Sequence, residues 1–201
     1  GAAALAPSPL LASPAAEGLF GAAIAQSSPV TSIYDADRSR RVARQVLDVL
    51  GIGPDDAERL AKVPIPVVLT ASQQVFNAVP EQAPGTLAFA PIVDGDVVPD
   101  YPVNLARERR THRVPLIIGT NKHEAALFRW MKSPLMPITP EAIRAMFEGI
   151  AAEQPGLSLP TEAQIAAAYP GLRTKARGMG VARDIGFRMP ALWLAQAHAA
   201  V

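Results

Sequence analysis

Apolar residues in this chain come in short runs punctuated by proline, glycine and hydroxyl side chains, and the period of each run predicts its element. Ala22 to Gln26 follows Gly18-Leu-Phe-Gly21 and ends in Ser27-Ser28-Pro29, the pattern of a buried strand stopped by a polar turn. From Asp37 to Leu50 the positions Val42, Val46, Leu47 and Leu50 recur at helical spacing, and Gly51 stands where a left-handed residue ends a helix. Pro54 with Asp55 and Asp56 starts a short second helix, because proline gives up no hydrogen bond in a first turn and carboxylates favour the positive end of the dipole. Pro64 stops it. Pro66 opens a third through Val67, Val68, Ser72 and Val75, against the stiffness of its β-branched pair.

Leu87 to Val93 predicts an extended segment, Asp94-Gly95 a tight reversal, and Val97-Val98 a returning partner. Beyond the basic stretch Arg107 to Arg113, Val114 to Gly119 is a continuous aliphatic run; Pro115 has no N–H for a ladder, so the strand proper is Leu116 to Gly119. Thr139-Pro140-Glu141 caps and starts a helix through Phe147, and Thr161-Glu-Ala-Gln164 has the spacing of a capping box before Ile165. Val181 to Val201 is alanine-rich and helical in composition, with Pro190 placing a kink or break near Gly186. No cap closes Ala199-Ala200-Val201, so that helix reads as cut.

The layout is mixed α and β. With 201 residues, 49% of them hydrophobic, and a mean hydropathy of +0.16, the chain holds enough apolar surface for one substantial core, hence one domain or part of one. The balance of 19 Lys and Arg against 18 Asp and Glu leaves +1, which provides no broad field to gather nucleic acid or anionic lipid. Arg38, Arg40, Arg41 and Arg44 cluster, but Asp35, Asp37 and Asp48 interrupt them and helical spacing spreads them, so a solvated helix face is expected there. Absence of cysteine removes disulfides, thiolate catalysis and cysteine-bound zinc. No apolar run reaches the length of a membrane span, and no basic stretch precedes the alanine-rich start, so neither a span nor a signal peptide is expected and the compartment stays open. The first residue is glycine, which implies processing or a piece of something longer.

The candidate chemistry sits past the Leu116 to Gly119 strand. A polar loop leaving the carboxyl end of a buried strand is where open α/β sheets display reactive groups, and Glu124 lies in that loop. By itself a glutamate at the start of a helix is equally an ordinary surface residue favoured by the dipole.

Four segments, in order, resemble the type-B carboxylesterase/lipase family of α/β-hydrolases, which includes para-nitrobenzyl esterases and cholinesterases. They are Phe20 with Ala25-Gln26-Ser27, Pro91 to Pro99, Leu116-Ile-Ile-Gly-Thr-Asn-Lys-His-Glu124, and Arg188-Met-Pro-Ala-Leu-Trp-Leu-Ala195. The resemblance covers roughly residues 10 to 201. It implies a partial α/β-hydrolase fold: two core strands of a central sheet with covering helices, one partial domain over residues 1–201 that is mainly helical over 139–201. It implies carboxylic ester hydrolysis through an acyl-enzyme, with a serine nucleophile, a histidine base and an acid that orients the histidine. Glu124 matches the acid, with His123 and Ala125 where the family commonly has aspartate and glycine.

The other two members find no match. No serine has glycine two residues before and two after it; Ser158 comes nearest, with Gly156 before it but Pro160 after. His112 precedes the acid, His123 adjoins it without facing it, and His198 falls in the terminal helix, where a solvated residue is expected. Pro7 and Pro9 interrupt what the family builds as a helix, so residues 1–9 are atypical. Ser27 and Ser28 either end a strand before proline or support the acid by a hydrogen bond, and Trp130, Met131, Leu135 and Met136 form either a pocket wall or core and lid packing. The expectation is a carboxyl-terminal-half piece that supplies only Glu124, is inactive alone, and self-associates through unpaired strand edges. The resemblance implies a small-molecule or lipid ester as substrate and no metal or organic cofactor; the alternatives are a non-catalytic binding module or a truncated gene product.

Overall fold

The computed structural model describes residues 7–153 and 158–200. Residues 1–6 of the atypical start, Gly156 beside Ser158, and the final Val201 lie outside the described residues. Two strands form a parallel pair, β1 (Ala23–Gln26) and β2 (Leu116–Gly119), in the register Ala23↔Leu116 through Gln26↔Gly119. Pro115 sits just before β2 and contributes its carbonyl to Ala23 N–H at 2.9 Å, while the last rung is Ser27 N–H to Gly119 O at 2.8 Å. Both strand predictions hold.

One face of this pair is covered. Helices α1 (Pro7–Ala12), α4 (Pro102–Arg107) and α9 (Met189–His198) bring Leu11, Val103, Ala106 and Leu194 together with Val30, and Ala23, Leu116 and Ile118 pack against that cluster. On the opposite face the register partners Ile24 and Ile117 are 62% and 68% exposed, although parallel strands are ordinarily apolar because both faces are covered. Pro7 and Pro9 do not interrupt α1. Both lie within its described residues, Pro7–Ala12.

The crossover between the strands is largely helical. In α2 (Ala36–Val49), Asp35 caps the start by accepting from Arg38 N–H at 2.7 Å. At its other end Gly51 adopts φ of 63°, with Gly51 N–H bonded to Asp48 O and Ile52 N–H to Leu47 O, which satisfies the terminal carbonyls as a left-handed cap should. A 3₁₀ stretch, Pro54–Lys62, follows, and then α3 (Ile65–Gln82), whose Val75 and Val79 pack on Val42 and Val46 of α2. The expected solvated arginine face needs correcting at Arg38. That side chain lies over the Tyr34 ring at 4.0 Å and pairs bidentately with Glu153, which Arg41 also reaches, so α2 is tied to a distant helix.

The expected hairpin over Leu87 to Val98 does not form. Tyr34 and Ile92 make an isolated parallel bridge, and the reversal closes on itself: Asp94 Oδ1 accepts from Asp96 and Val98 N–H at 3.0 and 2.8 Å. These bonds hold the Asp94 carboxyl below the usual carboxylate range, Val98 N–H first among them, and they consume the amides that a returning strand would need. Pro91 and Pro99 lack ladder donors altogether.

Beyond β2 the described chain is helical: α5 (Ala125–Trp130), α6 (Pro140–Glu153), α7 (Glu162–Ala168), α8 (Thr174–Arg183) and α9. The Thr161–Gln164 capping box is formed in both directions. The break foreseen near Gly186 is a π-helical turn, Asp184–Arg188, which joins α8 to α9 and leaves Pro190 in α9's first turn. Asp184 anchors this turn through Arg183 at 2.7 and 3.0 Å and Tyr169 OH at 2.7 Å. Phe187 from the same turn stacks obliquely on Phe128 of α5, 6.2 Å between centroids, beside buried Ala125, Met136 and Ala182. Among the described residues no helix is long and apolar enough to cross a membrane.

Candidate functional site

Glu124 is the hinge between the β2 exit loop and α5. The loop Asn121-Lys-His-Glu124 makes a turn in which Asn121 N–H donates to Glu124 Oε1 at 2.6 Å, so the residue at the N-cap of α5 reaches back to an amide three positions upstream. Local chemistry thus folds the carboxylate back over its own loop. Helix α5 carries it on the rigid side, since Ala125 is 2% exposed in the Met136–Ala182 cluster.

The neighbouring strand completes the arrangement. Ser27 follows β1 and has φ of 53°, an uncommon left-handed conformation for a residue with a side chain. Its Oγ donates to Glu124 Oε1. Asn121 Nδ2 donates both to Ser27 Oγ at 3.1 Å and to Glu124 Oε1 at 3.2 Å. One carboxylate oxygen therefore collects three donors: a hydroxyl from β1, and a backbone and a side-chain N–H from the β2 loop. Among the described residues no hydrogen bond reaches the other oxygen, Oε2.

Ser28 is not brought to the carboxylate. Its side chain is fully buried, and its Oγ has no hydrogen-bond partner among the described residues, an arrangement that ordinarily costs about 1–3 kcal/mol. Asn121 was missing from the sequence-derived site. Asn-x-x-Glu has the spacing of a capping box, but the helix begins only after Glu124, so that spacing did not mark the role Asn121 has here.

None of the histidines contacts Glu124. His123 is exposed, and its imidazole makes no hydrogen bond among the described residues; only its backbone carbonyl does, accepting from Ala126 N–H at 3.0 Å. His112 Nε2 is 2.7 Å from Ser13 O, with its ring edge-on to Phe20. His198 is not a solvated helix residue: Nε2 bonds Val114 O at 2.9 Å and Nδ1 lies 3.4 Å from buried Thr111 Oγ1, pinning the end of α9 to the approach to β2. An open groove of about 360 Å³ lies there, lined by Arg113, Leu116, Ile118 and Ala195 with His198, at the end of β2 opposite to Glu124. After the carboxylate, Met136 joins the core whereas Leu127, Trp130 and Met131 stand 57%, 82% and 60% exposed at helical spacing. Among the described residues no group of His, Asp or Glu has the makings of a metal site.

Comparison with known proteins gives a consistent picture. The family model described as the carboxylesterase family matches residues 1–150. The para-nitrobenzyl esterase of Bacillus subtilis is 33% identical over 119 residues, 59% of this chain and 24% of that protein. The cAMP-regulated D2 protein of Dictyostelium discoideum is 32% identical over 111 residues, 54% of this chain and 21% of that protein. Neuroligin-2 of Rattus norvegicus is 30% identical over 120 residues, 59% of this chain and 14% of that protein. A solved thermophilic para-nitrobenzyl esterase superimposes on the whole chain with a TM-score of 0.80 at 28% identity, and the Geobacillus stearothermophilus carboxylesterase on 99% of it with 0.74 at 27%. The chain spans 39% and 40% of those two structures.

Proposed function

The chain belongs to the carboxylesterase family, with a partial α/β-hydrolase fold, and we propose that it supplies the acid-bearing part of a carboxylic ester hydrolase, with Glu124 as the acid. The observation that carries this reading is the asymmetry of the carboxylate. Oε1 is held by Ser27 and Asn121, and Oε2 is left to accept the N–H of an imidazole. In that role Glu124 fixes the histidine tautomer and stabilises the imidazolium formed when the base takes the proton of an attacking serine. The serine oxygen adds to the ester carbonyl, the proton passes through the histidine to the departing alkoxide, and water then repeats the cycle on the acyl-enzyme.

The nucleophile and the base come from outside these residues. No Gly-x-Ser-x-Gly occurs in the 201 residues, and His112 and His198 are committed to backbone carbonyls. The substrate class is a small-molecule carboxylic ester, and Ser27 is the supporting residue beside the acid. The exposed Leu127, Trp130 and Met131 offer an apolar wall on the helix that Glu124 begins.

The test compares two samples with p-nitrophenyl acetate and butyrate: the 201-residue chain, and the complete product of the reading frame that encodes it. The chain alone is expected to match the buffer rate. The complete product is expected to turn over the esters and to lose about 10⁴-fold in kcat on Glu124→Gln with little change in KM, the scale of removing a triad acid. Turnover by the chain alone, or an undiminished Glu124→Gln enzyme, overturns the proposal.

A further inference from the structure

We propose that Asn121 is a positioning residue that fixes the plane and direction in which the Glu124 carboxylate presents its unbonded oxygen; this rests on the reading of Glu124 as the acid. The argument is one of donor and acceptor capacity. A carboxylate has two oxygens related by a simple rotation, and a free one presents either to an approaching N–H. Here the Asn121 backbone N–H and side-chain Nδ2–H both land on Oε1, at 2.6 and 3.2 Å. A carboxylate turned out of this plane would forfeit both, whereas a half-turn merely restores them on the exchanged, equivalent oxygen.

Asn121 also sets the direction of the serine. Its Nδ2–H fills an acceptor site on Ser27 Oγ at 3.1 Å, which leaves the hydroxyl hydrogen free to point at Glu124. The backbone bond alone could be made by any residue but proline at this position. The side chain needs an amide: aspartate places an acceptor and a second negative charge where the donor stands, and alanine places nothing. Asn121 therefore couples the β2 loop to the end of β1 through one NH₂ group, and its two bonds to Glu124, from the backbone and the side chain, fall on the oxygen facing away from the expected imidazole.

The experiment has two arms. In the 201-residue chain, isotope-labelled for NMR, the coupling from the Asn121 amide nitrogen to the Glu124 carboxyl carbon and the Glu124 side-chain rotamer populations are measured for the parent, Asn121→Ala and Asn121→Asp. One dominant Glu124 rotamer is expected in the parent and averaging in both variants; an unchanged single rotamer overturns the proposal. In the complete reading-frame product, kcat is expected to fall about 10- to 100-fold for Asn121→Ala, and further for Asn121→Asp, with KM unchanged. Loss of activity in Glu124→Gln with full kcat in both Asn121 variants removes Asn121 from its role and leaves the acid assignment standing. Full activity in Glu124→Gln removes the acid assignment and the Asn121 proposal with it.

Discussion

Replacing Ser27 by alanine and by glycine separates two energies that the structure superimposes at one residue. With φ of 53°, Ser27 occupies the left-handed region, which costs a residue bearing a Cβ about 1–2 kcal/mol and glycine almost nothing. Its hydroxyl also donates to a carboxylate, and such charge-assisted bonds contribute about 1.5–3 kcal/mol. The lower end applies, because the site is half-exposed and Asn121 continues to hold Oε1 in either variant. Ser27→Ala loses the bond and keeps the backbone strain, so it is expected to destabilise the chain by about 1.5 kcal/mol. Ser27→Gly loses the same bond but releases the strain, which brings its net effect to about 0.5 kcal/mol or less. Elsewhere in a strand glycine is worse than alanine by roughly 0.5–1 kcal/mol, so the expected order is inverted. Urea unfolding followed through Trp130 and Trp193 fluorescence measures it, and the two variants should differ in Tm by about 2–4 °C. A Ser27→Ala protein as stable as Ser27→Gly would refute the strain, and one as stable as the parent would refute the bond.

Two further predictions concern the helical half. Burial works to raise the Asp184 pKa, but the Arg183 and Tyr169 hydrogen bonds outweigh it and hold the carboxyl below its ordinary value, while burial, and then Asp184 itself, push the Tyr169 phenol far above 10. The Asp184 contribution is therefore present above pH about 4 and lost as pH falls through the depressed folded value; the Tyr169 contribution is present below pH about 10 and lost as pH climbs toward the raised one. Urea midpoints across pH should show both slopes, with Asp184→Asn flattening the acid limb and Tyr169→Phe the alkaline one; unchanged profiles would rule out the network. At Gly178 an added Cβ would lie 1.8 Å from Ile138 O, whereas at Gly149 in α6 it would meet nothing within 4 Å. Gly178→Ala is expected to cost about 3 kcal/mol or more and Gly149→Ala to stabilise by about 0.8 kcal/mol, both read from urea midpoints, and equal effects would contradict the packing.

What was legible in the sequence was governed by local rules. The β2 strand could be bounded because Pro115 excludes itself from a ladder, and the end of α2 because Gly51 alone tolerates the cap conformation. The Thr161 capping box needed only its own four residues. Misreadings occurred where a side chain or a distant partner took up the groups that the pattern had assigned elsewhere. Asp94-Gly95 predicted a reversal, and a reversal is present, but the amides of a return strand went to the Asp94 carboxylate. His198 sits on a helix end whose far side meets Val114 and Thr111, residues more than eighty positions away, so nothing nearby marked it as half-buried and hydrogen-bonded. The site divides in the same manner: Glu124 was readable from its place just past β2, whereas the part played by Asn121 and the choice of Ser27 over Ser28 hang on the meeting of two strand exits and on a left-handed φ that no local pattern demanded.

That division makes strand register the factor that assembles the site. Ser27 reaches Glu124 because its own N–H closes the last rung on Gly119 O, which sets the exit of β1 beside the exit of β2. A slip of one residue would exchange the two faces of β1, turning Ile24 toward Leu11 and Leu194 and carrying the Ser27 hydroxyl away from the carboxylate. Ala23 and Ala25 explain why this does not happen: Ala23 packs against the α1, α4 and α9 cluster, Ala25 on the same face is 1% exposed, and isoleucine in place of Ala23 would overfill a cluster whose Leu11 and Leu194 are already fully buried. Two strands by themselves are marginal, so the pairing depends on that one covered face. The chemistry at Glu124 is thus held by alanines on the covered face of β1, which touch neither the carboxylate nor its donors but dictate which serine meets it.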